Sequence, residues 1–396
     1  MLSLDKVFNA QTVLKSIIRE TNVVRAYGIA PDCELYLKPE NLQITGSFKV
    51  RGSAYKIAML SDEEKAKGVI ACSAGNHAQG VALAATKNGI KSLICLPDSA
   101  PISKVEATKG YGAEVCLVEG CYDDAYQKAL ELGDGEGYTF VHPFDDENVI
   151  AGQGTVALEI LNDLDNIDAI VVPIGGGGLI SGIAYTVKQI RPSVKVYGVQ
   201  ATGAPSMYRS VKDGEMECLQ GVSTIADGIA VKQPGENTFA LVREYVDEIA
   251  LVSDDEVSSA ILALIEKQKM IAEGAGAVAV AAVMAGKFDL KGKRVVAVVS
   301  GGNIDVTSLS RVIDRGLLNS GRSSSLLIEL IDKPGQLKVI SRIIADCGGN
   351  VTGVHYEKGN TESVNGCFLR IAMETRDFAH VNLITRSLRA EGFKLL

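Results

Sequence analysis

Four consecutive glycines, Gly175, Gly176, Gly177 and Gly178, are the residues of this chain best suited to cradling a ligand. An apolar run over 170–174 precedes them, and Leu179-Ile180-Ser181-Gly182 follows. The run reads as a fully buried strand because its apolar residues do not alternate. Residues 179–189 read as a helix. The glycines then form the turn into a helix N-terminus, where several N–H groups lack partners and the helix dipole is positive. Without side chains they let an anion come close to those donors. The ordinary alternative is a flexible linker, which the lack of any polar gap on either side disfavours. A dinucleotide fingerprint needs a sixth-position glycine and an acid after the next strand. Ile180 or Ser181, and Gln200, stand there instead. A Walker loop needs a Lys-Ser/Thr pair, and Leu179-Ile180 occupy that place. A compact phosphate monoester therefore fits better than a nucleotide.

Three other clusters carry reactive or polar groups. Lys49 lies in Thr45-Gly46-Ser47-Phe48-Lys49-Val50-Arg51-Gly52, just before a helical pattern. On composition alone such a lysine is a solvated charge. Ser73-Ala74-Gly75-Asn76-His77 follows the apolar run 69–72 and opens a helix. Ser300-Gly301-Gly302-Asn303 follows the run 294–299 and reads as a second Gly-rich turn into a helix, with Ser300 suited to capping it. Ligands of open α/β sheets bind at the carboxyl ends of strands, where both Gly-rich turns fall.

The elements that must position these groups alternate. Helices are expected over 7–18, up to 60, and over 76–87, 102–109 and 123–132, with strands at 34–37, 69–72, 92–96 and 114–118. A second run has strands near 169–174, 194–200 and 294–299, and a helix over 253–270 with Asp254, Asp255 and Glu256 in its first turn. This is a doubly wound α/β pattern. The stretch 319–325 reads as a polar linker. Beyond it come a strand at 326–331, a turn at 332–335, a helix over 337–347, strands near 350–356 and 367–373, a helix over 378–391 and a terminal strand. That order is βαββαβ, enough for one small two-layer domain.

Composition narrows the function. The 396 residues allow two or three domains, and 46% hydrophobic with 22% charged residues indicates a globular protein. A net charge of −8 without a Lys/Arg cluster argues against nucleic acid and anionic membranes. No signal peptide is apparent and no stretch reads as membrane-spanning. Eight scattered cysteines without a Cys-x-x-Cys pair suggest reduced thiols and a cytoplasmic location. The four histidines are too far apart in sequence to suggest a metal site.

Taken in order, the Ser-Phe-Lys-x-Arg-Gly motif, the Ser73–His77 turn, the Gly175–Leu179 cradle and the Ser300–Asn303 turn resemble the fold-type-II pyridoxal-phosphate enzymes. Within them the chain looks like a threonine dehydratase (threonine ammonia-lyase). The resemblance implies two doubly wound open-sheet subdomains, tryptophan synthase β-like, over residues 1–318, the smaller at about 45–150. Residues 326–396 resemble a ferredoxin-like ACT regulatory domain. The implied cofactor is pyridoxal 5'-phosphate. Gly175, Gly176, Gly177, Gly178 and Leu179 would take its phosphate, and Phe48 would pack near the ring. Asn76 would bond the 3-hydroxyl oxygen, and Ser300 would face the pyridine nitrogen. Lys49, kept neutral by desolvation, would form the Schiff base and later remove the Cα proton.

The resemblance also gives Ser73, Ala74, Gly75, Asn76 and His77 the substrate carboxylate, with His77 either catalytic or only orienting the loop. A serine at the pyridine nitrogen makes a weaker electron sink than an aspartate, which suits elimination. Serine racemases carry a second serine, their re-face base, where Ala74 stands, so racemisation is disfavoured. Gln200 and Ser206 replace the acids of those racemases' metal segment, so no metal is carried over, though room remains for a monovalent cation. Glu273-Gly274-Ala275-Gly276-Ala277 matches a pocket-lining segment and equally reads as a tightly packed helix start. Asp332-Lys333-Pro334-Gly335 matches the ligand-binding turn of ACT domains or is a plain Pro-Gly surface turn. The implied reaction converts L-threonine to 2-oxobutanoate and ammonia, with L-serine a poorer substrate. The implied assembly is a homodimer or homotetramer answering to an amino-acid or nucleotide effector. The alternatives are a serine dehydratase, another β-eliminating or β-replacing enzyme, or a decayed amino-acid sensor.

Overall fold

Apolar runs without alternation become interior strands of two parallel sheets. The computed structural model describes residues 2–357 and 366–396. Its first half contains α1 (Leu4–Leu14), β1 (Val24–Arg25), β2 (Glu34–Pro39), α2 (Lys49–Ala58), α3 (Asp62–Lys67), β3 (Val69–Cys72), α4 (Asn76–Lys87), β4 (Ser92–Pro97), α5 (Ile102–Gly110), β5 (Glu114–Val118), α6 (Tyr122–Glu136), β6 (Thr139–Phe140) and α7 (Glu147–Asp163). There follow β7 (Ala169–Pro173), α8 (Gly178–Ile190), β8 (Lys195–Ala201), α9 (Ser206–Asp213), α10 (Glu236–Tyr245), β9 (Glu248–Val252), α11 (Asp254–Ala263), α12 (Gly274–Met284), β10 (Arg294–Val299) and α13 (Val306–Asn319). The chain divides into two compact units, one ending at Leu309 and the other Ser310–Leu396.

The first unit holds both parallel sheets. The smaller runs β5-β4-β3-β6 and the larger β1-β2-β10-β7-β8-β9, with only β1 antiparallel to its neighbour. Early strand β2 pairs with late strand β10, so the larger sheet is closed by both ends of the unit. Residues 69–72 and 169–173 are buried throughout, as their unbroken apolar pattern predicts. The smaller sheet's core also takes Val7, Ala10 and Leu14 of α1.

A buried ionic cluster fixes α2 beneath the site. Arg51 donates to both oxygens of Glu40 at 2.8 Å and to Glu159 at 2.6 and 2.7 Å, while Lys38 reaches Glu159 at 2.5 Å. Burial opposes ionising Glu40, yet Arg51 and Lys38 hold its carboxyl below the usual range. Two cations against two anions leave no net buried charge, and losing one partner from such a set costs about 3–5 kcal/mol. The cluster ties β2 and α7 to the first turn of α2, which begins at Lys49.

Three expectations need correction. The helix foreseen over 253–270 is α-helical only to Ala263; a wider π-turn, Leu264–Gln268, carries the chain to Lys269 at φ 56. The turn after Ser300 does not enter a helix directly, since α13 starts at Val306, so Ser300 is no helix cap. The linker foreseen at 319–325 shrinks. Asn319 ends α13, and β11 (Ser323–Ile331) already includes Ser323, Ser324 and Ser325, paired with Glu374, Met373 and Ala372. Ladder bonds need only the backbone, so polar side chains did not stop the strand.

Within the second unit, β11 is followed by α14 (Gln336–Asp346), β12 (Asn350–Glu357), β13 (Gly366–Glu374), α15 (Phe378–Ala390) and β14 (Lys394–Leu395). The sheet is antiparallel in the order β12-β13-β11-β14, the ferredoxin-like arrangement expected of βαββαβ. Ile328, Ile340, Ile344, Leu369, Ile371 and Leu388 anchor its core.

Candidate active site

Tertiary structure brings all four motifs of the first unit to one place. Ser47 bridges Gly301 in antiparallel fashion. Phe48 N donates to Ser300 O at 3.1 Å, and Gly302 N to Gly46 O at 2.9 Å. The loop before Lys49 is therefore laced to the loop after β10. Asn303 Nδ2 donates to Thr45 O and to Asn76 Oδ1, both at 2.7 Å, which joins the turn after β3 to the same knot.

Lys49 opens α2, with Phe48 before it, and is partly buried. Its Nζ donates to Pro143 O at 2.7 Å and lies 5.4 Å from the Phe48 ring centroid. Burial lowers its pKa to about 8, against the opposing pull of Glu273. Desolvation thus raises the uncharged fraction of this amine well above that of an ordinary lysine, without making it the major form at neutral pH.

The glycine turn is tight. Gly177 caps α8 at φ 100, the left-handed region that favours glycine. A Cβ at Gly176 would lie 2.4 Å from the Phe144 ring, and one at Gly177 would lie 2.8 Å from Met207 and Thr238. Thr238 Oγ1 donates to Gly176 O at 2.6 Å, and Asp145 accepts from Thr238 N at 3.1 Å. The first-turn N–H groups of α8 have no intrahelical acceptor. The turn has the geometry of an anion cradle, with Leu179 in the first turn of α8, and a Cβ at position 176, 177 or 178 would come within 3 Å of neighbouring atoms.

The Ser73–His77 turn leaves open space at its glycine. Ser73 Oγ accepts from Gly75 N at 3.1 Å, and a Cβ at Gly75 would meet nothing within 4 Å, so space lies open before it. His77 is buried; its Nε2 donates to Val141 O at 2.8 Å, and Ser53 Oγ lies 3.4 Å from Nδ1. Burial first, then the nearby Lys49 charge, push its pKa down to about 3. Near neutral pH the imidazole is uncharged and held at Nε2, which suits it to bracing its loop. Ala74 has no exchangeable proton.

Ser300 is buried, and its hydroxyl donates to Ala275 O at 3.3 Å, at the weak end for an O–H donor. That hydroxyl can turn to a better acceptor, such as a ring nitrogen. The residues thus fit pyridoxal phosphate: a glycine turn at a helix N-terminus, an amine of lowered pKa, a buried hydroxyl and an amide at Asn76. Gln200 and Ser206 are fully buried; Gln200 Nε2 and Ser206 Oγ have no protein partner. Among the described residues no cluster of His, Cys, Asp and Glu is arranged for a metal ion.

Sequence reasoning left the stretch 140–146 unassigned. It supplies the carbonyl that receives Lys49, the Phe144 ring against the cradle, and Asp145 beneath it. His142-Pro143-Phe144-Asp145 follows the end of β6, and that position at a strand's carboxyl end was the available signal. Sequence also left open whether Glu273 lines the pocket or starts a helix. It starts α12 at the N-cap position, and its side chain reaches Asn76 of the Ser73–His77 turn, whose Nδ2 donates to Oε1 at 2.7 Å.

Comparison with known proteins places the chain in a family. The family described as pyridoxal-phosphate dependent enzyme matches residues 14–301. An L-threonine ammonia-lyase from Thermotoga maritima is 48% identical over 398 residues, covering all of this chain and 99% of that protein. A catabolic L-threonine dehydratase from Escherichia coli K12 is 45% identical, covering 78% of this chain and 96% of its own. Among solved structures, the processed form of threonine deaminase isoform 2 from Solanum lycopersicum superposes with TM-score 0.76 at 38% identity, covering 80% of this chain and 90% of that one. Maize serine racemase superposes at 0.75 with 34% identity, over 80% of this chain and 98% of that one.

Proposed function

The chain belongs to the pyridoxal-phosphate dependent enzymes, and from that premise we propose that it removes water and ammonia from L-threonine to give 2-oxobutanoate, with L-serine a secondary substrate. When bound, pyridoxal phosphate supplies an aldehyde that condenses with amines and a ring that accepts electrons released at a substrate Cα. Gly175, Gly176, Gly177, Gly178 and Leu179 would hold its phosphate at the α8 N-terminus. Phe48 would pack beside the ring, Asn76 would donate to its phenolic oxygen, and Ser300 would donate to its nitrogen.

Lys49 would hold the cofactor at its aldehyde and would take the substrate Cα proton as a free amine. An amine with pKa about 8 is a competent base near neutrality, where an ordinary lysine is charged. Ser73, Ala74, Gly75, Asn76 and His77 take the substrate carboxylate, with neutral His77 bracing the loop from Val141. Ala74 offers no second base on the opposite face, so released protons return only from the Lys49 side and D-serine is not formed. The observation that carries the reading is Lys49, uncharged in part, laced to the Ser300 loop and facing Pro143.

The second unit acts as an ACT-type regulatory domain. Gly335 turns the chain at φ 95 into α14, and Tyr356 Oη donates to Asp332 Oδ1 at 2.7 Å, which shapes the Asp332–Gly335 turn. We place an amino-acid or nucleotide effector beside Asp332, Pro334 and Gly335, in a homodimer or homotetramer. Eight unpaired cysteines support a cytoplasmic protein. No helix among the described residues is long and apolar enough to cross a membrane.

The deciding experiment measures 2-oxobutanoate and pyruvate from L-threonine and L-serine, together with the visible spectrum. A cofactor band with faster turnover of threonine supports the reading. Absence of the band, or ordinary turnover by Lys49→Ala, would refute it.

A further inference from the structure

The Asn76 amide has two N–H donors and one oxygen. Its oxygen is taken by Asn303 Nδ2, and one N–H by Glu273 Oε1, each at 2.7 Å. Asn303 cannot reverse its own amide without losing its second bond, to Thr45 O. Asn303 therefore donates both to Thr45 O and to Asn76, Asn76 donates on to Glu273, and Glu273 is the acceptor that ends that branch. A flipped Asn76 would aim its oxygen at the Glu273 carboxylate and its N–H groups at Asn303, a mismatch at both ends.

Glu273 is spared for this work. It is 6% exposed, and it caps α12 without using its carboxyl on the helix. Its N–H donates to Gly301 O at 3.1 Å. A Cβ on residue 301 would lie 2.3 Å from Glu273 Oε1, so a glycine there is what lets the carboxyl in.

We propose that Glu273 is a positioning residue for the reaction, locking Asn76 in the orientation that leaves its second N–H for the cofactor's phenolic oxygen. The inference rests on the cofactor assignment made above. The groups facing Glu273 are Lys49 on α2, Asn76 on α4, Lys104 on α5 and Asp227 in the short turn Asp227–Ile229, the last two paired at 3.1 Å. Burial, then Asp227, raise the Glu273 pKa to about 7, while Asn76, Lys104 and Lys49 oppose the rise. The lock therefore tightens as pH climbs through neutrality and the carboxylate forms.

A double-mutant cycle tests this on cofactor affinity, read by equilibrium dialysis of pyridoxal phosphate against the apoprotein at pH 8. Glu273→Ala and Asn76→Ala should each raise the dissociation constant about tenfold or more, since a lost charge-assisted bond is worth that. The double variant should be no worse than Asn76→Ala alone, because Glu273 acts only through Asn76. Thermal unfolding of each apoprotein checks the fold. Should Glu273→Ala not fold, Glu273→Gln decides: it keeps an acceptor but no titrating proton. It should bind cofactor within about threefold of the parent and lose the step near pH 7 in the holoenzyme's visible absorption. Additive losses in the cycle, parental affinity in Glu273→Ala, or a retained step in Glu273→Gln would overturn the proposal. A parent that binds no pyridoxal phosphate would overturn the function as well, so the two failures are distinguishable.

Discussion

The most direct consequence of the site concerns the pH at which Lys49 becomes reactive. Burial takes its pKa from 10.5 to about 8. That drop of about 2.5 units corresponds to about 3.4 kcal/mol in favour of the free amine. At pH 7 about a tenth of the chains then carry an uncharged Lys49, against about three in ten thousand for an ordinary lysine. The assay is capture of pyridoxal phosphate by the apoprotein, quenched with borohydride and read by mass spectrometry of the Lys49 peptide. The capture rate should rise about tenfold per pH unit up to about 8 and then flatten, because only the free amine reacts. Lys49→Ala should show no adduct at that peptide. Glu273→Gln should move the break to lower pH, since the Glu273 charge is what raises the Lys49 pKa. A rate that keeps climbing to pH 10 would mean that Lys49 is solvated, and the argument from desolvation would fall.

Four further outcomes follow from named contacts. Gly177→Ala strains a φ of 100 and drives a methyl to 2.8 Å from Met207 and Thr238; cofactor affinity should fall at least tenfold, and unchanged affinity would contradict the cradle. Ser300→Asp should hold the ring nitrogen protonated and slow elimination while side products of a stabilised carbanion accumulate, detectable by absorbance and product analysis. Acidification should destabilise the first unit. His77 has a folded pKa of about 3 against 6.5 unfolded, so its contribution is intact above 6.5 and lost as pH falls toward 3, by at most ~1.4 kcal/mol per pH unit, and calorimetry from pH 7 to 4 measures this. Truncation after Arg322 should leave an active enzyme that ignores the effector, and rate–threonine curves with isoleucine, valine and nucleotides would show any surviving response.

Much of the molecule was legible before folding because its signals are local. Unbroken apolar runs marked β3 and β7, and the glycines of 175–178 marked the entry to α8, since backbone geometry there depends on the residues themselves. The βαββαβ order of the second unit followed from the same periodicities. Boundaries set by distant partners were less legible. Ser323, Ser324 and Ser325 read as linker, yet β13 offers them a ladder, and residues 264–268 read as α-helix yet widen into a π-turn.

The sequence by itself determined which groups are available: one lysine in a recognisable motif, an anion cradle, a serine where an aspartate would do different chemistry, and an alanine where a second base would sit. It did not determine their mutual arrangement. Phe48, the neighbour of Lys49, meets the distant Ser300 because β2 pairs with β10 and the Ser47–Gly301 bridge extends that pairing. Asn76 and Glu273, 197 positions apart, share a proton-bearing contact that no local pattern encodes. The lowered pKa of Lys49 and the raised one of Glu273 are likewise products of burial, which exists only once the two sheets have closed around them. Hydrogen-bond direction and desolvation depend on neighbours in space, and those neighbours are fixed by tertiary structure alone.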